Sequence, residues 1–353
     1  MSLNALTLLT SGGEWQVTEG QDMVLTPATL GVKRHSTWGS SWTMPAVVGD
    51  SVIFVQEKGS KIRDLNYEQT EGQYRGNELS IMSEHLFEDY QITEMTYALE
   101  PYGILWCVRD DGTMLGMTYQ REHGVWAWHQ HTTDGEFESV ASINEDNRDT
   151  VYVIVKRTVN SNTVRYVERL QPRVTSSASD VWCLDCALSY DSTPATVFSG
   201  LEHLEGREVS AVADGNVVTG LTVTSGSITL PFASSKVTVG LPYTCVIETL
   251  DLDMGSQEQT FKGKEISVSR VLIEFEKSRG GWVSGRQDDG SFSEAMEIKP
   301  RFDSDGYDEL ALKSFKQEVF IQPSWNSSGG LKIEQRDPMP MGILAVVPDV
   351  DIS

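Results

Sequence analysis

Six histidines, four cysteines and a surplus of carboxylates are the side chains through which this chain could do chemistry. His129 and His131 stand two residues apart, so on a strand both point to one face, and His123 is close by. That spacing sketches a metal site. The preceding run Val125-Trp-Ala-Trp128, however, alternates as an ordinary half-buried strand does. All six histidines (His35, His85, His123, His129, His131 and His203) therefore read as structural or surface residues. Asp110-Asp111, Glu136/Glu138 and Asp288-Asp289 invite comparison with a glycosidase acid/base pair. Glycoside hydrolysis needs two carboxyls about 5–9 Å apart across a cleft, and sequence neighbours in turns do not supply that geometry. Asp303-Ser-Asp305-Gly306 fits the middle of a calcium-binding loop, but Arg301 and Leu312 would fill the first and last ligand positions, where oxygen is required. Asp349/Asp351 is weaker still. Cys183-x-x-Cys186 has no second pair to complete four zinc ligands, so with Cys107 and Cys245 it reads as ordinary reduced thiol. No strained nucleophile turn and no phosphate-cradling glycine loop appears. Asn326-Ser-Ser328 is a glycosylation sequon in form only. Trp126 and Trp128 share a strand face and suit either a glycan platform or sheet packing, with packing preferred. The residues thus assign no catalytic, cofactor-binding or metal-ligating role, and a non-enzymatic protein without cofactor is expected.

The charge balance points the same way. Lys and Arg number 28 against 51 Asp and Glu, a net −23 over 353 residues. Proteins that grip nucleic acid neutralise phosphates with cations, and anionic membranes attract basic segments. This chain as a whole does neither. Solubility is one consequence of the charge; a surface to which a passing polyanion does not adhere is another. No apolar run approaches the ~20 residues of a membrane span and no signal peptide opens the chain, so a soluble protein, intracellular at synthesis, is expected.

The elements that must position these residues are strands. Four segments repeat an apolar strand, a tight turn and a second strand: Thr7 to Trp15, Val52 to Ile62, Ile104 to Met114, and Val151 to Val167. Their starts lie about 45, 52 and 47 residues apart, the spacing of β-propeller blades. The third unit is the fullest. Glu94–Leu99, Gly103–Arg109, Thr113–Tyr119 and Val125–His131 read as four strands, with Asp110-Asp111-Gly112 as a hairpin turn. A helix is expected after Asn77, with Asn77 as cap and Leu79, Met82 and Leu86 on its packed face. Pro172, Ser176-Ser177-Ala178-Ser179 and Pro194 mark a change of texture. The chain therefore reads as all-β: a partial β-propeller-like region over residues 4–190, a small β-sandwich or barrel over 191–262, and a C-terminal β region over 263–353.

These residues also resemble a known family. Trp38-Gly-Ser-Ser41, Val52-Ile-Phe-Val-Gln56, Lys61-Ile-Arg-Asp-Leu65, Asn77-Glu-Leu-Ser80, Glu84-His-Leu-Phe87, Trp106 to Gly112, Gly124-Val-Trp-Ala-Trp128 and Tyr166-Val-Glu-Arg169 are similar to segments of tail-nozzle, or tail-stabilisation, proteins of short-tailed bacteriophages and prophages. Leu201 to Gly206 with Val212 to Gly215, and Ile333 to Met341 running into Val346, resemble later parts of the same family. The resemblance implies a structural virion protein, hexameric in full-length form, docked on other tail or adaptor proteins. It would form part of the conduit through which DNA leaves, without sequence-specific nucleic-acid binding or membrane insertion. It implies a place in the virion tail after synthesis in the bacterial host cytoplasm. The chain enters within a strand pattern, and a C-terminal portion of a longer protein is expected. Two other functions fit the composition: a host-surface or glycan-binding tail module, and a propeller-type glycoside hydrolase.

Overall fold

The structure, a computed structural model, describes residues 6–18, 30–68, 73–173, 175, 177–253, 260, 262–299 and 311–353. The chain divides into two compact units, Met1–Gln171 and Pro172–Ser353. Both are built almost wholly of antiparallel strands.

The first unit is a succession of four small meander sheets. The first sheet holds β1 (Leu6–Thr10), β2 (Gly13–Thr18) and β3 (Gly31–Ser36). The second holds β4 (Ala46–Val48), β5 (Ser51–Val55), β6 (Ile62–Glu68) and β7 (Gln73–Arg75). The third runs β8 (Ile92–Ala98), β9 (Ile104–Arg109), β10 (Met114–Gln120) and β11 (Val125–His131). The fourth has β12 (Glu136–Glu145), β13 (Arg148–Val159) and β14 (Asn162–Arg169). In each sheet, neighbours in sequence are neighbours in space, as in propeller blades.

Strand alternation turns this order into face-to-face stacking. Val52 and Phe54 of β5 pack with Leu65 and Tyr74 toward Leu9 of the first sheet. Ile53 and Val55 point the other way, onto Leu105, Cys107, Leu115 and Met117 of the third. Ile104, Trp106 and Val108 in turn face Val140, Val151, Val153 and Val155 of the fourth. The middle sheets are covered on both sides, which is why Val52–Val55 and Ile104–Val108 are apolar without alternation and β5 and β9 are buried at every position. Each fully buried large side chain contributes about 1.5–3 kcal/mol over its exposed state.

The strands of the third sheet fall where the sequence places them. The expected helix after Asn77 does not form. Asn77 N–H donates to Asp64 Oδ1 at 2.5 Å, Leu79 N–H donates to Ile62 O at 2.9 Å, and Glu78 bridges to Arg63. The backbone at these positions is thus committed to the edge of β6. Only a short 3-10 turn follows, Ile81–Leu86, with Ser80 rather than Asn77 at its start and no side-chain cap. Leu79 is buried ahead of the turn, while Met82, expected on a packed face, is 85% exposed.

In the second unit a four-stranded sheet has the order β15 (Asp185–Ser199), β18 (Ser227–Leu241), β16 (Glu208–Ala213), β17 (Asn216–Thr222). Its core is Val209, Ala211, Ala213, Ile228, Leu230, Val237 and Val239, with Phe198, Leu201 and Leu204 laid over them. β15 runs through the 190/191 position at which the sequence reading divides the chain. Two further sheets follow. One joins β19 (Cys245–Glu248), β25 (Leu331–Gln335), β21 (Trp282–Gly285) and β22 (Met296–Glu297). The other joins β23 (Lys313–Phe320), β20 (Ile266–Ser278) and β24 (Trp325–Asn326), with β26 (Gly342–Ile352) also paired to β20. They share one core, in which Val283, Leu331 and Ile333 meet Val271, Ile273, Phe275 and Val319. β19 thus finds its partner beyond the 262/263 division.

Candidate functional site

The histidine and tryptophan cluster of β11 is the densest group singled out from sequence. Trp126 and Trp128 are half-buried against the core between the second and third sheets. Trp128 Nε1 donates to Leu79 O at 2.8 Å, and its ring meets Phe87 edge-on at 4.8 Å between centroids. Both indoles therefore serve sheet packing. On the opposite face His129 Nδ1 and His131 Nε2 share a hydrogen bond of 2.7 Å, and both rings lie against Trp106, at 5.7 and 5.2 Å. Gly116 of β10 is paired in register with Trp106 on one side and His129 on the other. The imidazole lies over the glycine so closely that a Cβ there would come within 2.1 Å of His129 Cε1. His123 is exposed in the turn before β11 and is not part of the pair. Among the described residues, no three His, Cys, Asp or Glu side chains converge as a metal site.

His35 lies against Tyr74, with a ring nitrogen 2.8 Å from Gln16 Oε1. Burial, then the charge of Lys33, lowers its pKa. His85 is exposed, and His203 Nε2 lies 3.2 Å from Cys186 O.

The carboxylate pairs separate into structural ties. Asp111 binds the Arg109 guanidinium through both oxygens and accepts from Thr113 N at 3.1 Å, which locks the hairpin turn. The Arg109 hydrogen bond holds its carboxyl down to about 2. Arg109 itself is buried, stacked 3.6 Å over Tyr90 and donating to Leu86 O at 2.7 Å. Asp110 Oδ1 accepts from Gln91 N at 3.1 Å. Glu136 pairs with Lys156 at 2.9 Å and Glu138 with Arg165 at 2.6 Å, both on the solvent face of the fourth sheet. Asp289 accepts from Ser291 N at 2.9 Å within its own turn and, with Asp288, borders a shallow open depression. Asp349 pairs with Arg270 at 2.8 Å; Asp351 sits opposite Ser267 on β26. The candidate calcium loop, Asp303 to Gly306, lies outside the described residues.

A buried carboxylate escaped sequence reading. Asp64, 1% exposed, accepts from Asn77 N, from Tyr119 Oη at 3.2 Å and from Arg121 Nη1 at 3.4 Å. It ties the second sheet to the third. Its only sequence signal is an acid between the apolar Ile62 and Leu65, both of which are buried.

Cys107 is fully buried, and burial raises its pKa. Burial pushes the Cys183 thiol up to about 11, with a contribution from nearby Cys245 and an opposing hydrogen bond from Tyr243. Cys186 points elsewhere, against the core of the β15–β18 sheet. The two cysteines of the C-x-x-C spacing thus stand in different surroundings, and Cys107, Cys183, Cys186 and Cys245 are all free thiols. Asn326, the sequon residue, is buried; its amide donates to Arg286 O at 2.8 Å and accepts from Ser328 N at 2.9 Å.

One feature had no sequence signal at all. Between β3 and β4, Trp42 stands with its side chain wholly in solvent, at 105% relative exposure, beside a cavity of about 380 Å³.

No protein-family model and no curated protein matches this chain. Three solved structures align with it over most of their length. One is described as a glycoside hydrolase, 10% identical over 99% of this chain and 97% of its own, with a TM-score of 0.24. Another is an exo-inulinase from Aspergillus awamori, 9% identical over 98% and 94%, with a TM-score of 0.23. The third is a GH32 β-fructofuranosidase from Bombyx mori, 8% identical over 94% and 87%, with a TM-score of 0.20. Likeness at these scores carries no argument about activity, and the fold stands on the sheet topology.

Proposed function

We propose that this chain is a structural protein of a bacteriophage tail, a nozzle or tail-tube component that works by assembly rather than catalysis. The observation that carries the reading is the solvent side of its sheets. On the outer face of the fourth sheet, Val167 lies exposed opposite Ile154, with exposed Ile143 farther along. Around them run three cross-strand ion pairs: Lys156–Glu136, Arg165–Glu138 and Arg169–Glu145. In the second unit the outward rows are Phe320, Arg270, Asp349 and then Glu318, Leu272, Val347, with Phe320 and Val347 exposed. Apolar side chains ringed by ordered charges are the composition of faces that dock on other proteins.

The motifs quoted from the sequence support the phage assignment, with a hexamer in full-length form and other tail or adaptor proteins as partners. The net charge of −23 supports a conduit role, because a like-charged wall does not hold DNA in passage. The virion tail is the location this reading gives, after synthesis in the bacterial host cytoplasm. The test is peptide mass spectrometry of gradient-purified particles released by a strain encoding the chain. Detection in particles, in a fixed ratio to tail proteins, is expected; recovery only from the soluble lysate overturns the proposal.

A further inference from the structure

The segment from residue 37 to 45 is held by three sheets at once. Ser40 N donates to Thr10 O at 2.9 Å, Ser41 N to Val55 O at 2.9 Å, and Thr43 Oγ1 to Ile92 O at 2.8 Å. Gly39 closes the approach to the β1–β2 turn: its φ is +75°, and a Cβ there would lie 2.2 Å from Ser11 O. A loop tethered this tightly could have turned its aromatic side chain inward. Trp42 instead sits between two of the tethers with its indole fully exposed, and Met44 beside it is 76% exposed.

The cavity next to Trp42 is lined by Thr7, Ser40, Ser41 and Thr43 together with apolar residues that include Val52, and no charged residue contributes to it. The hydroxyls divide by role. Ser40 Oγ donates to Ser41 O at 3.2 Å and Thr43 Oγ1 donates to Ile92 O, so each offers its lone pairs to a ligand. Ser41 Oγ accepts from Thr43 N at 3.2 Å and keeps its proton to donate. Thr7 is 6% exposed and also borders the cavity, but its Oγ1 is buried without a hydrogen-bond partner, out of a ligand's reach.

We propose that this cavity binds a neutral saccharide, one pyranose ring lying with its C–H face on Trp42 and its hydroxyls toward Ser40, Ser41 and Thr43. Paired donors and acceptors without charge match vicinal sugar hydroxyls, and an indole offers a flat apolar surface with a polar edge. A volume of about 380 Å³ suits a small ligand. The uncharged lining, in a chain of net charge −23, selects against anionic sugars. Because the loop is already tied down, binding costs little ordering. The site is separate from the assembly reading, and each stands or falls alone.

The experiment is an array of bacterial surface oligosaccharides and common neutral mono- and disaccharides probed with the full chain, followed by titration calorimetry with the free sugar that is retained. Trp42→Ala should weaken binding by roughly tenfold or more, as loss of an aromatic anchor does. Ser41→Ala, which removes the half-buried hydroxyl that has a proton to donate, should weaken it several-fold, with thermal melts of both variants reporting an intact fold. Retention of no neutral saccharide, preference for acidic sugars, or unchanged affinity in Trp42→Ala overturns the proposal. So does a change of oligomeric state in Trp42→Ala without sugar binding, which would make a second copy of the chain the occupant.

Discussion

Replacing Gly116 by alanine should change sign with the residue opposite it. Glycine in a strand interior costs conformational entropy, so Gly→Ala at an open site gains roughly 0.5–1 kcal/mol. Position 116 is closed. The new Cβ would sit 2.1 Å from His129 Cε1, 2.7 Å from Nε2 and 2.9 Å from Nδ1. The ring cannot simply swing away, because it is hydrogen-bonded to His131 and flanked by Trp106. Overpacking of this kind costs about 1–3 kcal/mol. In a His129→Ala background the obstacle is gone and the alanine should stabilise. The two effects together give a coupling energy of roughly 1.5–4 kcal/mol between the positions. Calorimetry on the four members of the cycle measures it. In the wild-type background the affected transition should fall by roughly 2–4 °C per kcal/mol for a unit of this size, and in the His129→Ala background it should rise. The same sign of change in both backgrounds would refute the claim that the imidazole lies over Gly116.

Arg157 is 3% exposed and bonded to both oxygens of Glu168, at 2.6 and 2.8 Å, and to Asp134 O. Arg157→Ala should cost about 3–5 kcal/mol by stranding Glu168, whereas Arg157→Met with Glu168→Leu should come close to neutral in urea titrations. Asp111 has a folded pKa near 2 against an ordinary 3.8, so its contribution is present above pH 3.8 and lost as pH falls through 2. Its side chain is 31% exposed, which screens the contribution to roughly 1 kcal/mol. Asp111→Asn should therefore flatten the acid limb of the stability curve, and an unchanged slope between pH 4 and pH 2 would count against the pairing. Trp128→Phe should cost about 1 kcal/mol through the lost hydrogen bond to Leu79 O, without affecting saccharide retention.

The third sheet was legible because every local signal agreed. Asp110-Asp111-Gly112 sets the turn, and apolar runs on either side of it have strand length. The chain was harder to read where tertiary pairing overrides local pattern. Asn77-Glu-Leu-Ser80 carries a helix-cap signature, but Asp64 and Ile62 had already claimed those backbone N–H groups for the edge of β6. Between the apolar runs Ser227–Leu230 and Lys236–Val239, Pro231 and small residues interrupt the local strand pattern. The two runs are one strand, β18, whose partner β15 absorbs the irregularity in register shifts between Asp191 and Val197. The site residues divide in the same way. Trp126 and Trp128 announce themselves by spacing, yet they pack half-buried against the core between the second and third sheets. Trp42 gives no periodic signal, since its exposure follows from the bonds of Ser40, Ser41 and Thr43 to three different sheets. Cys183 lies near enough to Cys245 of β19 to feel its charge, a proximity that no short motif encodes.

Electron microscopy of the purified full-length protein, with native mass spectrometry on the same sample, tests assembly most directly. The account predicts closed rings of six copies, populated increasingly as concentration rises. A chain that stays monomeric at every concentration reached, alone and with its tail partners, would contradict it.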